Sequence, residues 1–238
     1  MKDMSRTLIV LLLLMIVATG IHFESVSRVS ISDLYTKSNT IFKDRSGSIM
    51  RWVPAANGER HIWIPLNNIP DTVKNAFISA EDHRFYSHPG IDVVAILRAV
   101  KSNLTKGHIV SGASTITQQL SRLTYPRKRT YYDKLVELIR SLRIEGLLDK
   151  EQILELYLNK VPLGNNLVGV KAGSMVYFGK ILSRLTASEA ALLASLPKAP
   201  GKLNPYGRNA PLLIERKNWV LNKMHINGHI SFGILNVS

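Results

Sequence analysis

Two neighbouring acids, Glu81 and Asp82, end an apolar stretch, "AFISA", and His88 follows seven residues after Glu81. A carboxylate that starts near a core, with a like charge beside it, has its ionised form disfavoured. Such a group can work near neutral pH as a general base or acid. The plain alternative is a solvated acid at a helix end, and the apolar residues before Glu81 argue against it. His88 could serve as a base or a metal ligand. Within "SHPG" it reads better as a hydrogen-bonded histidine that fixes a turn.

A second polar group lies at residues 111–120, "SGASTITQQL", where Ser114, Thr115, Thr117, Gln118 and Gln119 follow a glycine. Small residues at a helix entrance can hold an anion on backbone N–H groups and hydroxyls. The simpler reading is an N-cap, although capping does not call for both glutamines. Downstream come Arg122, Arg127, Lys128, Arg129, Lys134, Arg140 and Arg143, opposed through residue 145 only by Asp133, Glu137 and Glu145. A basic run is usually a solvated face; beside a polar loop it can bind phosphate. Lys134 and Glu137, three apart, share one side of a helix, which makes Glu137 a second carboxylate with a cation at hand. "SLPK", at 195–198, matches a Ser-x-x-Lys pattern, but no Ser-x-Asn or Lys-Thr-Gly follows, and it reads as a proline turn.

Helices must position these groups. Val73, Ala76, Phe77 and Ala80 recur at helical spacing after Pro70 and Asp71. "VVAILRAVKSNL" predicts a helix ended by Gly107. In "YYDKLVELIRSLRIEGLLDK", Leu135, Leu138, Ile139 and Leu142 predict one apolar stripe. Asp149 is a candidate cap for "ILELYLN", and Thr186 with Glu189 has capping-box spacing. Around "DRSG" a hairpin is expected at about 40–53, and "HIWIPL" is a candidate strand. The fold class is therefore mainly α, with a short β hairpin.

The 238 residues carry a net charge of +14 and no cysteine. Thiolate catalysis, zinc–cysteine sites and disulfides are excluded. The charge calls for an anionic partner: nucleic acid, lipid headgroups or a diphosphate. Residues 7–23, "TLIVLLLLMIVATGIHF", hold no Asp, Glu, Lys or Arg. About 17–20 apolar residues suffice to span a bilayer, and Lys2 and Arg6 place the N-terminus in the cytoplasm. A cleaved signal peptide ending near "ATG" is the alternative. Either way the body is exported. No nucleic-acid partner is expected, because the basic residues are not interleaved with aromatics on a recognisable module.

In order, these stretches resemble glycosyltransferase family 51, the peptidoglycan glycosyltransferase module of class A penicillin-binding proteins and of monofunctional enzymes. "EDHRFYSHPG" is similar to its motif Glu-Asp-x-x-Phe-x-x-His-x-Gly, and "GASTITQQ" to Gly-x-Ser-Thr-x-x-Gln-Gln. "DKLVE" resembles Arg-Lys-x-x-Glu with Asp133 in the arginine's place. "ILELYLN" and "LLASLPKAPGKLNP" resemble later segments, and several details look most like the 1C branch. The resemblance implies a lysozyme-like fold with a mobile, membrane-apposed jaw. It implies residues 1–6 as a cytoplasmic tail, 7–23 as a transmembrane anchor, 24–39 as a linker, 40–225 as the glycosyltransferase domain and 226–238 as an unmatched tail, without a transpeptidase domain.

The implied reaction polymerises lipid II with inversion and releases undecaprenyl diphosphate. Glu81 would be the catalytic base. Lys134, Arg122 and a divalent metal (Mg or Mn) would offset the leaving charge, with Glu137 assisting. Glu81 and Glu137 would meet that metal through the diphosphate. Asp82, Ser114, Thr115, Gln118 and Gln119 would shape the donor and acceptor sites. Arg127 and Arg129 are expected to replace the missing positive charge, and Asp133 to turn partly to solvent as a helix-start residue. The implied partners are lipid II, the growing glycan, membrane lipids and other cell-wall synthesis proteins, at the bacterial inner membrane with the catalytic domain in the periplasm. Two rivals remain: a lytic enzyme cleaving finished glycan, and a membrane-anchored scaffold without turnover.

Overall fold

The computed structural model describes residues 2–35, 39–47, 49–106 and 113–231. It opens with α1 (Lys2–Ser27), which contains the apolar run 7–23. Among the described residues no helix is long and apolar enough to cross a membrane.

Within the expected linker, residues 24–35 pack against the helical body. Ser27 and Leu34 are fully buried, the latter in α2 (Ile31–Leu34). Arg143 pairs with Glu24, and Arg140 donates to the Val26 carbonyl. The Tyr125 hydroxyl accepts the Ser30 N–H at 2.9 Å and donates to Asp33 at 3.0 Å. Long-range polar contacts, which local composition does not encode, tie the segment down.

The expected hairpin forms from β1 (Thr40–Lys43) and β2 (Ile49–Val53), antiparallel, with Thr40 opposite Val53. Its "DRSG" turn closes with the Gly47 N–H on the Asp44 carbonyl at 3.0 Å, Gly47 adopting φ 84°. "HIWIPL" contributes less strand than expected. Only β3 (Arg60–His61) pairs, in parallel with β4 (Leu167–Val168).

The helical body follows. α3 (Asp71–Glu81) buries Val73, Ala76, Phe77 and Ala80, as its period requires. α4 (Val93–Lys106) comes next, and the expected stop at Gly107 lies outside the described residues. Then come α5 (Ile116–Thr124), α6 (Tyr131–Leu147) and α7 (Lys150–Lys160). After β4 the chain forms α8 (Val170–Phe178), α9 (Ala187–Ser195) and α10 (Ala210–Ile226). The predicted capping box of Thr186 with Glu189 is present on α9, and Asp149 caps α7 as expected, there forming a capping box with Gln152 as well.

α7 is buried on nearly all sides, as befits a helix running through the core: Ile153, Leu154, Tyr157, Leu158 and Asn159 are each 0% exposed. Its polar residues tie down the preceding strand region. Asn159 accepts the Ile64 N–H and donates to the Ile64 carbonyl, each at 2.8 Å, while Glu155 accepts the Leu66 N–H at 2.8 Å. Tyr157 meets Phe77 of α3 edge-on at 6.4 Å.

The stripe expected on α6 is wrong. Leu135 and Leu142 are 48% and 41% exposed, whereas Val136, Arg140, Ser141 and Ile144 are buried. The helix is turned so that a buried arginine and a serine face inward. Arg140 donates there to the Val26 carbonyl and lies over the Tyr125 ring, 4.3 Å from its guanidinium carbon, while its Nε finds no partner among the described residues.

Candidate active site

Glu81 is the last residue of α3, so the core helix delivers its carboxylate. Oε2 accepts a hydrogen bond from Gln119 Nε2 of α5 at 2.6 Å. Oε1 is buried and has no partner among the described residues, although the residue as a whole reaches the surface in part. Burial raises the carboxyl above the ordinary glutamate range, against the Gln119 hydrogen bond and the positive charges of Arg216, Lys198 and Arg122. The expected like-charge effect of Asp82 is not the cause. The oxygen of the Gln119 amide accepts from the Tyr157 hydroxyl at 3.3 Å, which fixes the amide's orientation.

Asp82 is turned inward as a structural pin. Its carboxylate meets His88 Nε2 at 3.0 and 3.1 Å and accepts the Ile116 N–H at 3.0 Å. The helix-entrance anion expected at Ser114–Thr115 is thus the chain's own Asp82. Thr115 is an N-cap: its hydroxyl accepts the Gln118 N–H at 3.2 Å and donates to the Gly90 carbonyl at 2.6 Å. Gly90 has φ +85°, and a Cβ there would meet the Ser141 carbonyl oxygen at 3.1 Å. His88 fixes the turn, as its sequence context suggests.

Lys134 of α6 reaches three partners: Ser114 Oγ at 3.1 Å, Gln118 Oε1 at 3.0 Å and the Glu137 carboxylate. Arg122 lies 3.5 Å from the other Glu137 oxygen. Gln118 Nε2 and Ser121 Oγ are buried without partners among the described residues. Ser114, Ser121, Arg122, Lys134 and Glu137 line a cavity of about 850 Å³ with Arg127, Lys128, Arg129 and Arg140. A smaller cavity of about 370 Å³ is lined by Glu81, His83, Arg98, Trp219 and Lys223. Ser114 lines both. One cavity therefore presents a desolvated carboxylate, and the adjoining one a cluster of cations suited to phosphate.

Asp133 does act at the helix start. It lies in the first turn of α6 and accepts from its Thr130 cap at 2.6 Å. It is less open to solvent than expected, and it takes Arg127 as an ion-pair partner, so Arg127 does not supply free charge. The Thr130 hydrogen bond, followed by Arg127, holds its carboxyl below the usual range.

Glu81 and Glu137 line different cavities. Among the described residues, the acidic and histidine side chains whose ligand atoms lie together are Asp82, His88 and Asp92. Both Glu137 oxygens already face cations.

Sequence reasoning missed Arg216, Lys198 and Tyr157. Arg216 of α10 donates to the Ala80 carbonyl at 3.3 Å and lies over the Trp219 ring at 3.8 Å. Burial lowers its pKa, and Glu81 opposes that shift. The Ser195–Lys198 stretch is no acyltransferase pair: Ser195 is buried and bonds the Ala191 carbonyl. Its lysine instead contributes positive charge at Glu81.

Comparison with known proteins shows the family. The family model described as "Transglycosylase" matches residues 46–225. Penicillin-binding protein 1A of Escherichia coli is 46% identical over 174 residues, covering 73% of this chain and 20% of that protein. The Aquifex aeolicus protein of the same name is 45% identical and covers 73% of this chain and 24% of its own length. A Cupriavidus necator relative, provisionally named a transglycosylase, is 43% identical over 72% of this chain and 74% of its own length. The crystal structure of penicillin-binding protein 1A from Haemophilus influenzae aligns with 25% identity and a TM-score of 0.48, covering 85% of this chain and 20% of that one. This chain spans about a quarter or less of the 1A relatives' length. These relatives are of the 1A type, whereas sequence details pointed to the 1C branch. With its family model matched over most of its length, the chain belongs to the transglycosylase family.

Proposed function

We propose that this chain is a peptidoglycan glycosyltransferase that polymerises lipid II with inversion and releases undecaprenyl diphosphate. The observation that carries the reading is the partnerless, buried Glu81 Oε1 beside a cavity lined by Lys134, Arg122 and further cations. Glu81 takes the proton from the acceptor's sugar 4-hydroxyl. That oxygen attacks the donor's anomeric carbon, and the bond to the diphosphate breaks with its electron pair going to the leaving group. Cations already aimed at the developing charge stabilise the transition state. Lys134, steadied by Ser114, Gln118 and Glu137, is the principal one. Gln119 orients Glu81, and Asp82 positions the α3 end. A divalent cation, Mg or Mn, belongs to the proposal only as a neutraliser of the substrate's diphosphate.

Residues 7–23 act as a single-pass anchor in the bacterial inner membrane with the catalytic domain in the periplasm. An N-terminus before Thr7 in protein purified from membranes supports an anchor, whereas a mature start near Ile21 means a signal peptide. Incubating detergent-solubilised protein with lipid II and a divalent metal, read by gel, tests the activity. Polymer is the expected result. Cleavage of finished peptidoglycan without polymer would favour the lytic enzyme. The Asp133–Arg127 pair is the one observation that favours a scaffold without turnover, because it removes a cation from the larger cavity.

A further inference from the structure

An arginine is costly to bury unless acceptors replace its water. Yet α6 turns Arg140 inward and leaves Leu135 and Leu142 outside. The acceptors of Arg140 are backbone carbonyls at two helix ends. One is Val26, in the last turn of α1; the other is Tyr125, the residue that closes α5, at 3.5 Å. Carbonyls in such places lack partners within their own helix and carry the negative end of its dipole, so one guanidinium serves both ends.

Tyr125 is gripped from two sides. The Arg140 guanidinium lies over its ring, and its hydroxyl meets the Ser30 N–H and the Asp33 carboxylate. Lys160 of α7 closes the same junction, donating to the Asp33 carbonyl at 3.1 Å and to Thr124 Oγ1 at 3.3 Å. Further along α6, Glu24 pairs with Arg143, and the Phe23 ring meets the Tyr132 ring edge-on at 6.3 Å. Residues 24–35 are thereby latched to the end of α5 and along α6.

That junction is also a wall of the larger cavity. Tyr125 and Arg140 both line it, Arg122 stands about one turn before Tyr125, and the cations at 127–129 follow directly. No described residue of 24–35 lines the cavity itself.

We propose that Arg140 and Tyr125 are positioning residues that fasten residues 24–35 to the cavity wall and so set how Arg122 and the 127–129 loop face an incoming diphosphate. This role rests on the diphosphate reading of that cavity given above. The segment after the apolar run is then a working part of the site, and drawing it away loosens the cation cluster.

The test uses the full chain in detergent, with a short-chain polyprenyl diphosphate titrated by calorimetry. Asp33→Ala removes a negative charge, so Coulomb attraction alone would tighten the anionic probe. The latch predicts the opposite sign: binding weaker by about threefold or more, the scale of one lost hydrogen bond. Tyr125→Phe should weaken it at least as much, and adding Asp33→Ala to it should change little, because both break one contact. Asp33→Asn keeps an acceptor for the Tyr125 hydroxyl and should bind as the parent does. Arg140→Lys keeps the cavity's charge but gives up the planar fork that reaches both helix ends, and should bind about tenfold more weakly. A second measurement needs no ligand: amide hydrogen exchange over residues 127–134 should quicken in Asp33→Ala. The proposal is overturned if Asp33→Ala binds the probe as tightly as the parent or more tightly, or if that exchange is unchanged. Were the parent not to bind the probe, the diphosphate reading would fall, and the exchange measurement would still decide whether the latch holds the loop.

Discussion

The two adjoining cavities solve opposite electrostatic problems. In the larger one, cations are kept half-exposed and steadied by a single carboxylate, Glu137, so their charge remains available to an incoming anion. In the smaller one a carboxylate is driven out of water, and one of its oxygens is left without a partner. Desolvation makes Glu81 a stronger proton acceptor, whereas Lys134 and Arg122 stay half-exposed. Glu81 also sits at the end of a rigid core helix, while the cations come from α5, α6 and the loop between them.

Removing the carboxylate should have the largest effect. Glu81→Gln keeps shape and the Gln119 contact but deletes the base, and polymerisation should fall by about 10² to 10⁴. The same variant reads the desolvation directly. A raised carboxyl favours the folded state below the ordinary glutamate pKa and loses that advantage as pH rises through the folded value. The variant should therefore melt at a higher temperature than the parent near about pH 8 and at a similar one near about pH 4. Equal melting at both values would mean that Glu81 is not desolvated. Next comes the other cavity: Lys134→Ala should cost about 10² or more in rate, as for one transition-state contact.

The comparison sharpens when a residue serves neither cavity. Asn159→Ala strips partners from the buried Ile64 N–H and carbonyl, at about 1–3 kcal/mol each, so denaturation should show a loss near 3 kcal/mol. Activity per folded molecule should survive; if it falls as far as in Lys134→Ala, Asn159 has a role in the site itself. The smallest effect is expected from Asp133→Arg, a few-fold change in polymerisation. Were it to convert an inert chain into an active one, the scaffold reading would replace the present one.

The sequence made the helices and their caps legible, because Asp149, Thr186 and the α3 period are local signals. It also singled out Glu81, Gln119, Lys134 and Glu137, which are unusual residues for their places. What it hid was orientation. Nothing local says that Asp82 turns inward to His88 and Ile116, or that α6 buries Arg140 rather than its leucine stripe. The burial of Arg140 depends on Val26 and Tyr125, on other elements, and the turn of Asp82 on the Ile116 N–H of α5. Arg216 and Lys198 were missed for the same reason, since they approach Glu81 from more than a hundred residues away.

The central claim is that a desolvated Glu81 is the base of a polymerising site, and the pH dependence of the initial rate on lipid II tests it most directly. The account predicts an acid limb governed by one group, with its inflection above the ordinary glutamate value of about 4.3, and loss of that limb with the activity in Glu81→Gln. A Glu81→Gln variant that polymerises lipid II at near the parent rate, with the parent's acid limb intact, would contradict it.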